Sequence, residues 1–142
     1  MKKMICSLVL LAALCLLIPV HAADNYPIFQ KNATVRVQYQ AQRSGTTSWT
    51  MYSTTVKDVL SESMIRNQLM KRHPGYDVRV LSASEDGKNV QVYVRCQIRR
   101  GSSSWSEMTT TLNNALTESM AENQIAARYP GAEVRILSMT FK

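Results

Sequence analysis

The sequence has few of the residues that catalysis and metal binding most often use. Its 142 residues include three cysteines, two histidines and five glycines. Cys6, Cys15 and His21 fall within the first 22 residues, so little of this chemistry is left for the rest of the chain. The remaining cysteine and histidine show no metal-ligand spacing, and the glycines form no phosphate-binding loop. We therefore expect no metal, no cofactor and no enzymatic activity.

Single residues of each reactive type remain after residue 22. Cys96 alone cannot form an internal disulfide, and it lies in an apolar alternation, so we expect a small buried hydrophobe. His73 directly precedes Pro74. In the repeat described below its counterpart is Tyr129, so the position favours a ring and a structural role.

Long apolar runs are also scarce, with one exception at the amino terminus. Lys2 and Lys3 precede a nearly unbroken apolar stretch, Ile5–Val20, and Val20-His21-Ala22 supplies a small-residue cleavage site. The run is short for a membrane span, and this order of features is typical of a secretory signal peptide. We expect residues 1–22 to be removed. The protein would then be bacterial and exported, periplasmic or extracellular, with no integral membrane segment.

What the sequence does contain is an internal duplication. At an offset of 56, Ser48–Ser82 matches Ser104–Ser138 with 17 of 35 positions identical. The preceding strands are aligned at an offset of 55, which gives the second copy one extra residue before its loop glycine. That alignment makes Cys96 the counterpart of Ala41. A match this dense predicts one structural unit built twice.

Each unit begins with a strand in which apolar and polar residues alternate. The apolar sets are Val35, Val37, Tyr39 and Ala41 in the first copy and Val90, Val92, Val94, Cys96 and Ile98 in the second. Alternation of period two predicts a half-buried strand. A polar loop with a glycine follows, and then a threonine-rich strand over Trp49–Thr55 or Trp105–Thr111.

A helix is predicted after the second strand. Apolar residues recur at helical spacing from Val56 to Met64 and at the matching positions of the second copy. The start is open, because either Thr55 or Ser61 is a suitable cap. Pro74-Gly75 ends the helix in the first copy, since proline cannot continue the hydrogen-bond ladder and glycine tolerates the turn.

The predicted fold is α+β, with two tandem ββαβ repeats at residues 33–84 and 89–142 forming one pseudo-two-fold domain. Residues 23–32 are expected to be a flexible arm. Residues 85–88 contain Asp-Gly between two alternating runs, a strong hairpin signal. The hairpin would pair the third strand of unit one with the first strand of unit two, giving an antiparallel-rich sheet with two helices on one face. Two independent domains are the alternative, but about 55 residues per unit is marginal alone.

Several polar residues occur in both copies. Asn67 and Gln68, with their counterparts at an offset of 56, lie beside the apolar stripe of the helix. There a side-chain amide can satisfy backbone groups at a sheet edge or contact the other helix. Arg79 and its counterpart Arg135 are expected to form surface pairs with carboxylates such as Asp77 and Glu133.

Arginine, glutamine and tryptophan are concentrated on the predicted outer face of the sheet. Trp49 and Trp105 share that face if Tyr52 and Met108, of opposite parity, point toward the helices. The candidate ligand-binding residues are Arg36, Gln38, Trp49, Tyr93, Arg95, Arg99 and Trp105. Exposed aromatic rings beside arginines can stack on bases or sugars. The alternative is that each tryptophan covers its loop or the open end of the core.

The formal net charge of +7 falls to +5 once Lys2 and Lys3 are removed with the signal peptide, an excess that still favours polyanion partners. The leading hypothesis is an exported non-enzymatic binding or structural module, monomeric or weakly dimeric, whose partner is an envelope protein or a polyanion. One alternative is a nucleic-acid or anionic-glycan binder that uses the Arg/Gln/Trp face with strong salt dependence. Another is an inhibitor that plugs the cleft of an envelope hydrolase with the loop Arg99–Ser104.

Overall fold

The structure is a computed structural model that describes residues 28–86 and 88–142. The expected signal peptide, residues 1–22, and the first part of the expected arm lie outside the described residues. Among the described residues, no helix has the length and apolar character needed to cross a membrane.

The described residues form two units with the same order of elements. The first contains β1 (Thr34–Arg43), β2 (Thr50–Lys57), α1 (Glu62–Arg72) and β3 (Tyr76–Glu85), and the second contains β4 (Gln91–Arg100), β5 (Ser106–Asn113), α2 (Glu118–Arg128) and β6 (Ala132–Phe141). Each unit therefore has the order ββαβ, and the fold is α+β as the sequence predicted.

The strands form two three-stranded antiparallel sheets, with orders β2-β1-β3 and β5-β4-β6. In each sheet the first strand of the unit lies in the centre, and the third strand occupies an edge. The predicted pairing of β3 with β4 through a hairpin at residues 85–88 is therefore wrong, and so is the single shared sheet. The physical reason is that groups from α2 and its preceding loop occupy the edge of β3.

Each third strand carries a β-bulge, an extra residue that no residue of the central strand opposes. In the first sheet Gln38 pairs with Ser82 and Tyr39 with Val80, which leaves Leu81 as the extra residue. The corresponding bulge in the second sheet falls at Leu137.

The strand pairs correct the alignment of the opening strands. Tyr39 pairs with Val80 and Cys96 pairs with Ile136, which is the counterpart of Val80. Cys96 is therefore the counterpart of Tyr39 rather than of Ala41, at an offset of 57. The second hairpin loop is consequently one residue shorter than the first, not one longer.

The helices begin at the later of the two predicted caps. Ser61 Oγ accepts a hydrogen bond from the backbone N–H of Met64, and Thr117 Oγ1 accepts one from Met120. Both caps satisfy a backbone donor that the first turn would otherwise leave free. The helices end at Arg72 and Arg128, as the Pro-Gly pairs predicted.

A continuous hydrophobic core runs through both units. In the first unit, Ile65 and Leu69 of α1 are fully buried with the inward-facing residues of β1, and Ala121 and Ile125 of α2 are equally buried in the second. A common core favours folding of the two units together, because a unit of about 55 residues is marginal alone.

Part of the expected arm is anchored to the first unit. The backbone N–H groups of Ile28 and Phe29 donate to the carbonyl of Leu60 at 2.7 and 3.2 Å. Phe29 is buried in the core, and the N–H of Gln30 donates to Glu85 at 2.8 Å. Residues 28–30 therefore hold together the start of α1 and the end of β3.

The two units meet where α2 lies along the free edge of β3. Asn123 Nδ2 donates to the carbonyl of Val80 at 2.9 Å, and Gln124 Nε2 donates to that of Leu81 at 2.7 Å. The N–H of Ala83 donates to the carbonyl of Asn114 at 3.0 Å. We call the edge Val80–Ala83 the edge site, the group Asn114, Asn123 and Gln124 the helix site, and their contact the inter-unit joint.

A buried carboxylate connects the starts of the two helices at the same joint. Glu62 of α1 is fully buried. It accepts hydrogen bonds from the hydroxyl groups of Thr117 and of Ser119, the latter at 3.0 Å, and from Arg66 at 3.2 Å. A buried charge is tolerated only with such partners, so this group ties α1 to the cap of α2.

The joint is not reciprocal. A two-fold arrangement would bring Asn67 and Gln68 to the edge of β6, but Gln68 bonds only to the carbonyl of Lys57 among the described residues. Leu81 is 4% exposed, whereas its counterpart Leu137 is 43% exposed. The two copies therefore contact each other head to tail, not about the two-fold axis that the sequence suggested.

Candidate functional site

The outer face of the second sheet carries a stack of two arginines and a tryptophan. The guanidinium carbon of Arg99 lies 4.6 Å from the centre of the Trp105 ring, and that of Arg135 lies 4.1 Å from it. Arg135 belongs to β6 and reaches across the central strand β4 to the tryptophan, which follows the β4–β5 loop. Such cation–π contacts hold the guanidinium groups over the face of the ring.

The first sheet carries a similar but more covered stack. The guanidinium carbon of Arg79 lies 4.3 Å from the centre of the Trp49 ring, and its Nε donates to Gln40 at 2.7 Å. The end of α2 lies beside this pair, where Ala126 and Ala127 help to line a cleft of about 410 Å³. Burial lowers the pKa of Arg79 from its usual value. Of the two stacks, the one around Trp105 is more open to a ligand.

These contacts correct the predicted partners of two arginines. Arg79 and Arg135 stack on tryptophans rather than pairing with Asp77 and Glu133. The carboxylate of Glu133 instead accepts a hydrogen bond from Arg99 at 2.6 Å. The missed signal is the strand order, because a residue of β3 or β6 reaches its tryptophan only across a central strand.

Arg95 and Tyr93 extend the outer face of β4 away from the stack. Arg95 forms an ion pair with Glu107 of β5. The hydrogen bond from Arg95 lowers the pKa of Glu107, and the same contact raises the pKa of Arg95. Tyr93 is exposed on the same side of the strand. Solvent screens an ion pair of this kind, so an anionic ligand can compete with the carboxylate.

The remaining predicted residues lie elsewhere. Arg36 and Gln38 are on the outer face of the first sheet, where they line a polar cleft of about 520 Å³ between the two units together with Asn89 and Gln91. Trp49 belongs to the covered stack of unit one. The structure therefore brings Arg99 and Trp105 together, places Tyr93 and Arg95 farther along the same face of β4, and separates Arg36, Gln38 and Trp49 from that group.

The orientation of the tryptophans follows the predicted parity. Tyr52 and Met108 pack against the core, so Trp49 and Trp105 lie on the outer faces. Both rings are half-buried beneath their arginines. Part of each aromatic surface is thus already covered within the protein. The groups mainly presented to a ligand are therefore the guanidinium donors rather than the faces of the rings.

His73 lies in an aromatic cluster at the end of α1. Its Nε2 is 2.8 Å from the hydroxyl oxygen of Tyr39, and its ring packs against those of Tyr52 and Tyr76. Burial raises the pKa of Tyr39, although the charge of Arg72 acts in the opposite sense. The cluster fills the end of the first unit's core, as the prediction of a structural ring at this position requires.

Cys96 is fully buried in the second unit, and burial raises the pKa of its thiol. Within residues 28–86 and 88–142, no three histidine, cysteine, aspartate or glutamate side chains lie close enough together to hold a metal ion.

Searches of protein-family models, curated proteins and solved structures found no match to this chain. The site is therefore interpreted from its own geometry alone.

Proposed function

We propose that the protein is an exported, non-enzymatic binding module whose ligand is a polyanion, bound on the outer face of the second sheet around Trp105. The observation that carries the proposal is the stacking of Arg99 and Arg135 on one indole ring. A guanidinium is planar, and one held in place over a ring presents its in-plane N–H donors to phosphate, sulfate or carboxylate oxygens in pairs.

The donors of this stack are only partly used within the protein. Arg99 gives one amino group to Glu133, while its buried Nε–H has no acceptor among the described residues. Arg135 has an exposed side chain and stacks on Trp105 without appearing in an ion pair in the described part of the chain. Anion oxygens can reach the exposed donors of Arg135 in competition with water, and the amino donors of Arg99 in competition with Glu133, but the buried Nε–H of Arg99 lies out of their reach.

The spacing of the arginines favours a polymeric anion over a small one. Arg95 and Arg99 lie on the same face of β4, four residues apart, which corresponds to roughly 13 Å along an extended strand. A ligand with a single anionic group cannot contact both unless the two side chains leave Glu107 and Trp105 and turn toward each other. A nucleic acid or an anionic glycan can, and each contact would release counterions and make the affinity salt dependent.

The experiment is elution of the purified protein from heparin and single-stranded DNA resins with a salt gradient. Arg99→Ala combined with Arg135→Ala should elute at clearly lower salt than the parent. The matched control, Arg43→Ala with Lys57→Ala, removes the same charge from exposed positions of the first unit and should elute nearer to the parent. Failure of the parent to bind either resin at low salt, or equal shifts in both variants, would refute the proposed surface.

Removal of a competing carboxylate sharpens the same test. Glu133→Gln frees the amino group of Arg99 and lowers the negative charge of the surface, so it should elute at higher salt than the parent. Glu118→Gln makes the same charge change at an exposed residue of α2 and controls for net charge.

Export is tested separately by mass spectrometry of the protein from the cell envelope. Cleavage after Ala22 predicts an amino terminus at Ala23, and an intact leader on a cytoplasmic product would contradict it. The inhibitor hypothesis stays a prediction. In the structure its proposed loop is a tight turn in which Ser103 Oγ donates to the carbonyl of Arg100 at 2.8 Å.

A further inference from the structure

Each unit contains both halves of the inter-unit joint, but the molecule uses each half only once. The edge site of β3 binds the helix site of unit two. Two equivalent halves take no part in this joint. They are the edge of β6, Ile136–Met139, and the helix site of unit one, Asp58, Asn67 and Gln68. Leu137 on the unused edge is 43% exposed, and Asn67 is exposed without a side-chain hydrogen bond within the described residues.

We propose that the unused edge of β6 binds the unused helix site of α1 in a second copy of this chain, so that molecules associate head to tail. In this contact Asn67 donates to the carbonyl of Ile136 of the other molecule, and Gln68 donates to that of Leu137. These bonds repeat those that Asn123 and Gln124 make within the chain. This goes beyond the monomer or weak dimer expected from the sequence.

The chemistry of the unused halves matches that of the occupied joint at each contact. Both helix sites contain a helical asparagine and glutamine at the same positions, and only Asp58 in place of Asn114 differs. The backbone of Asp58 has a positive φ of 57°, like that of Asn114 at 55°, so its carbonyl lies in the same kind of turn. The bulge that exposes two successive carbonyls to the amides is present at Leu137 as it is at Leu81.

The buried carboxylate of the joint also has an unused counterpart. Glu62 accepts hydrogen bonds from the hydroxyls of Thr117 and Ser119. Glu118 is exposed, and the hydroxyls in the matching positions are those of Ser61 and Ser63. Ser61 is already buried within its own unit and hydrogen-bonds to Ser63 at 2.9 Å, so in the proposed assembly Glu118 of one copy accepts from Ser63 of the next. The proposed partner of the β6 edge is thus a second copy of this chain, because the helix site of unit one already carries the groups that fit such an edge.

Head-to-tail contact determines the kind of assembly. An interface between two different surfaces is heterologous, so it generates a ring if the rotation closes and an open filament if it does not. An unpaired strand edge with free backbone groups is also a general template for association. The proposal therefore predicts species that grow beyond a dimer as the concentration rises.

Two neighbouring pairs of counterparts beside the joint differ, and they weaken the contact between molecules. Ala126 and Ala127 lie beside Trp49 and Arg79 in the occupied joint, and their counterparts in α1 are Met70 and Lys71. In the assembly Lys71 would approach Arg135, a like charge, so the contact between molecules is weaker than the joint within one. Lys71→Ala, which restores the residue type of α2, should strengthen association severalfold.

The test is sedimentation velocity of the purified protein over a wide concentration range. The parent should form species larger than a dimer. Leu137→Asp, which disables the edge, and Asn67→Ala with Gln68→Ala, which disables the helix site, should each reduce association at least tenfold. Both changes lie at surface positions, and circular dichroism verifies the fold.

Mixing the two disabled variants separates head-to-tail contact from a symmetric dimer. Each retains the half that the other lacks, so the mixture should form a one-to-one dimer that does not grow. A parent that stays monomeric throughout, variants that associate like the parent, or a mixture that stays monomeric would overturn the proposal. Resin binding by a monomeric parent would leave the polyanion surface standing, which distinguishes the two proposals.

Discussion

The two units share their element order, their caps and their bulges, but the same side chains lie in different environments. Leu81 is buried and its carbonyl accepts a hydrogen bond from Gln124 of α2, whereas Leu137 is exposed. Glu62 is fully buried among hydroxyl groups, whereas Glu118 faces solvent. Packing of the core therefore does not account for all of the residues that are identical between the two copies. Some of these residues belong to an interface that the chain contains twice and forms once.

The ends of the two cores show where the copies have diverged. The first unit packs His73 among the rings of Tyr39, Tyr52 and Tyr76. The second has Cys96, Met108, Tyr129 and Ala132 at the corresponding positions. The smaller second set shows that a fixed backbone plan accepts different volumes at this end, whereas the helical asparagine and glutamine of the joint and the bulge leucine retain their type.

The largest difference between the units is expected at the paired glutamates. Glu62→Ala removes a buried carboxylate and leaves two hydroxyls and Arg66 without their acceptor, so the free energy of unfolding should fall by about 3–5 kcal/mol. Glu118→Ala should change it by less than about 0.5 kcal/mol in dilute protein. Urea denaturation of both variants measures the difference, and equal losses would contradict a one-sided joint.

The bulge leucines should give the next largest contrast. Leu81→Ala leaves a cavity under α2 and should lower the free energy of unfolding by about 2–3 kcal/mol. Leu137→Ala creates no cavity in a monomer, so its unfolding midpoint should stay close to that of the parent. If thermal and urea unfolding shift alike for both variants, the occupied and free edges are not distinct.

A smaller effect is expected from the asparagines. Asn123→Ala removes the donor to the carbonyl of Val80 and should destabilise the protein by about 1 kcal/mol. Asn67→Ala should leave stability unchanged and reduce only association. Denaturation and sedimentation, performed on the same two samples, separate these outcomes. Loss of stability in the Asn67 variant at low protein concentration would contradict the prediction that only Asn123 stabilises the monomer.

The smallest effect concerns alkaline pH at the diverged core ends. Burial raises the pKa of Tyr39 above its unfolded value, so the folded state favours the neutral phenol. The resulting stability is complete below the unfolded pKa, near 10, and is lost as the pH rises through the folded pKa. The urea midpoint should therefore decline above about pH 10. Tyr39→Phe should decline less steeply, and an unchanged slope would remove Tyr39 from the explanation.

Much of the fold could be predicted, because alternation, caps and Pro-Gly pairs act locally. The helix ends at Arg72 and Arg128 and the inward parity of Tyr52 follow from such local rules. Strand pairing could not be predicted from such local rules. The Asp86-Gly87 signal is local, whereas the residues that occupy the edge of β3, Asn123 and Gln124, are distant from it in sequence. The position of these amides beside the apolar stripe of the helix predicts a contact with a sheet edge or with the other helix. It does not predict which edge they reach.

The candidate surface was predicted only in part for the same reason. The alternation of side chains along a strand predicts that Trp105 and Arg99 lie on one face of the sheet, because the two residues are close together in one hairpin. Arg135 could not be assigned to Trp105, because that contact depends on β6 lying beside β4. Arg36 and Gln38 shared a face with Arg95 only under the assumption of a single sheet, which the two-sheet structure removes.

Amide hydrogen exchange at Ala83 and Met139 tests the one-sided joint most directly. These residues hold equivalent positions on β3 and β6, opposite Val37 and Val94, but only the N–H of Ala83 donates to a partner across the joint. In dilute, monomeric protein the amide of Ala83 should exchange at least about 100-fold more slowly than that of Met139. Equal protection of the two amides would contradict the account.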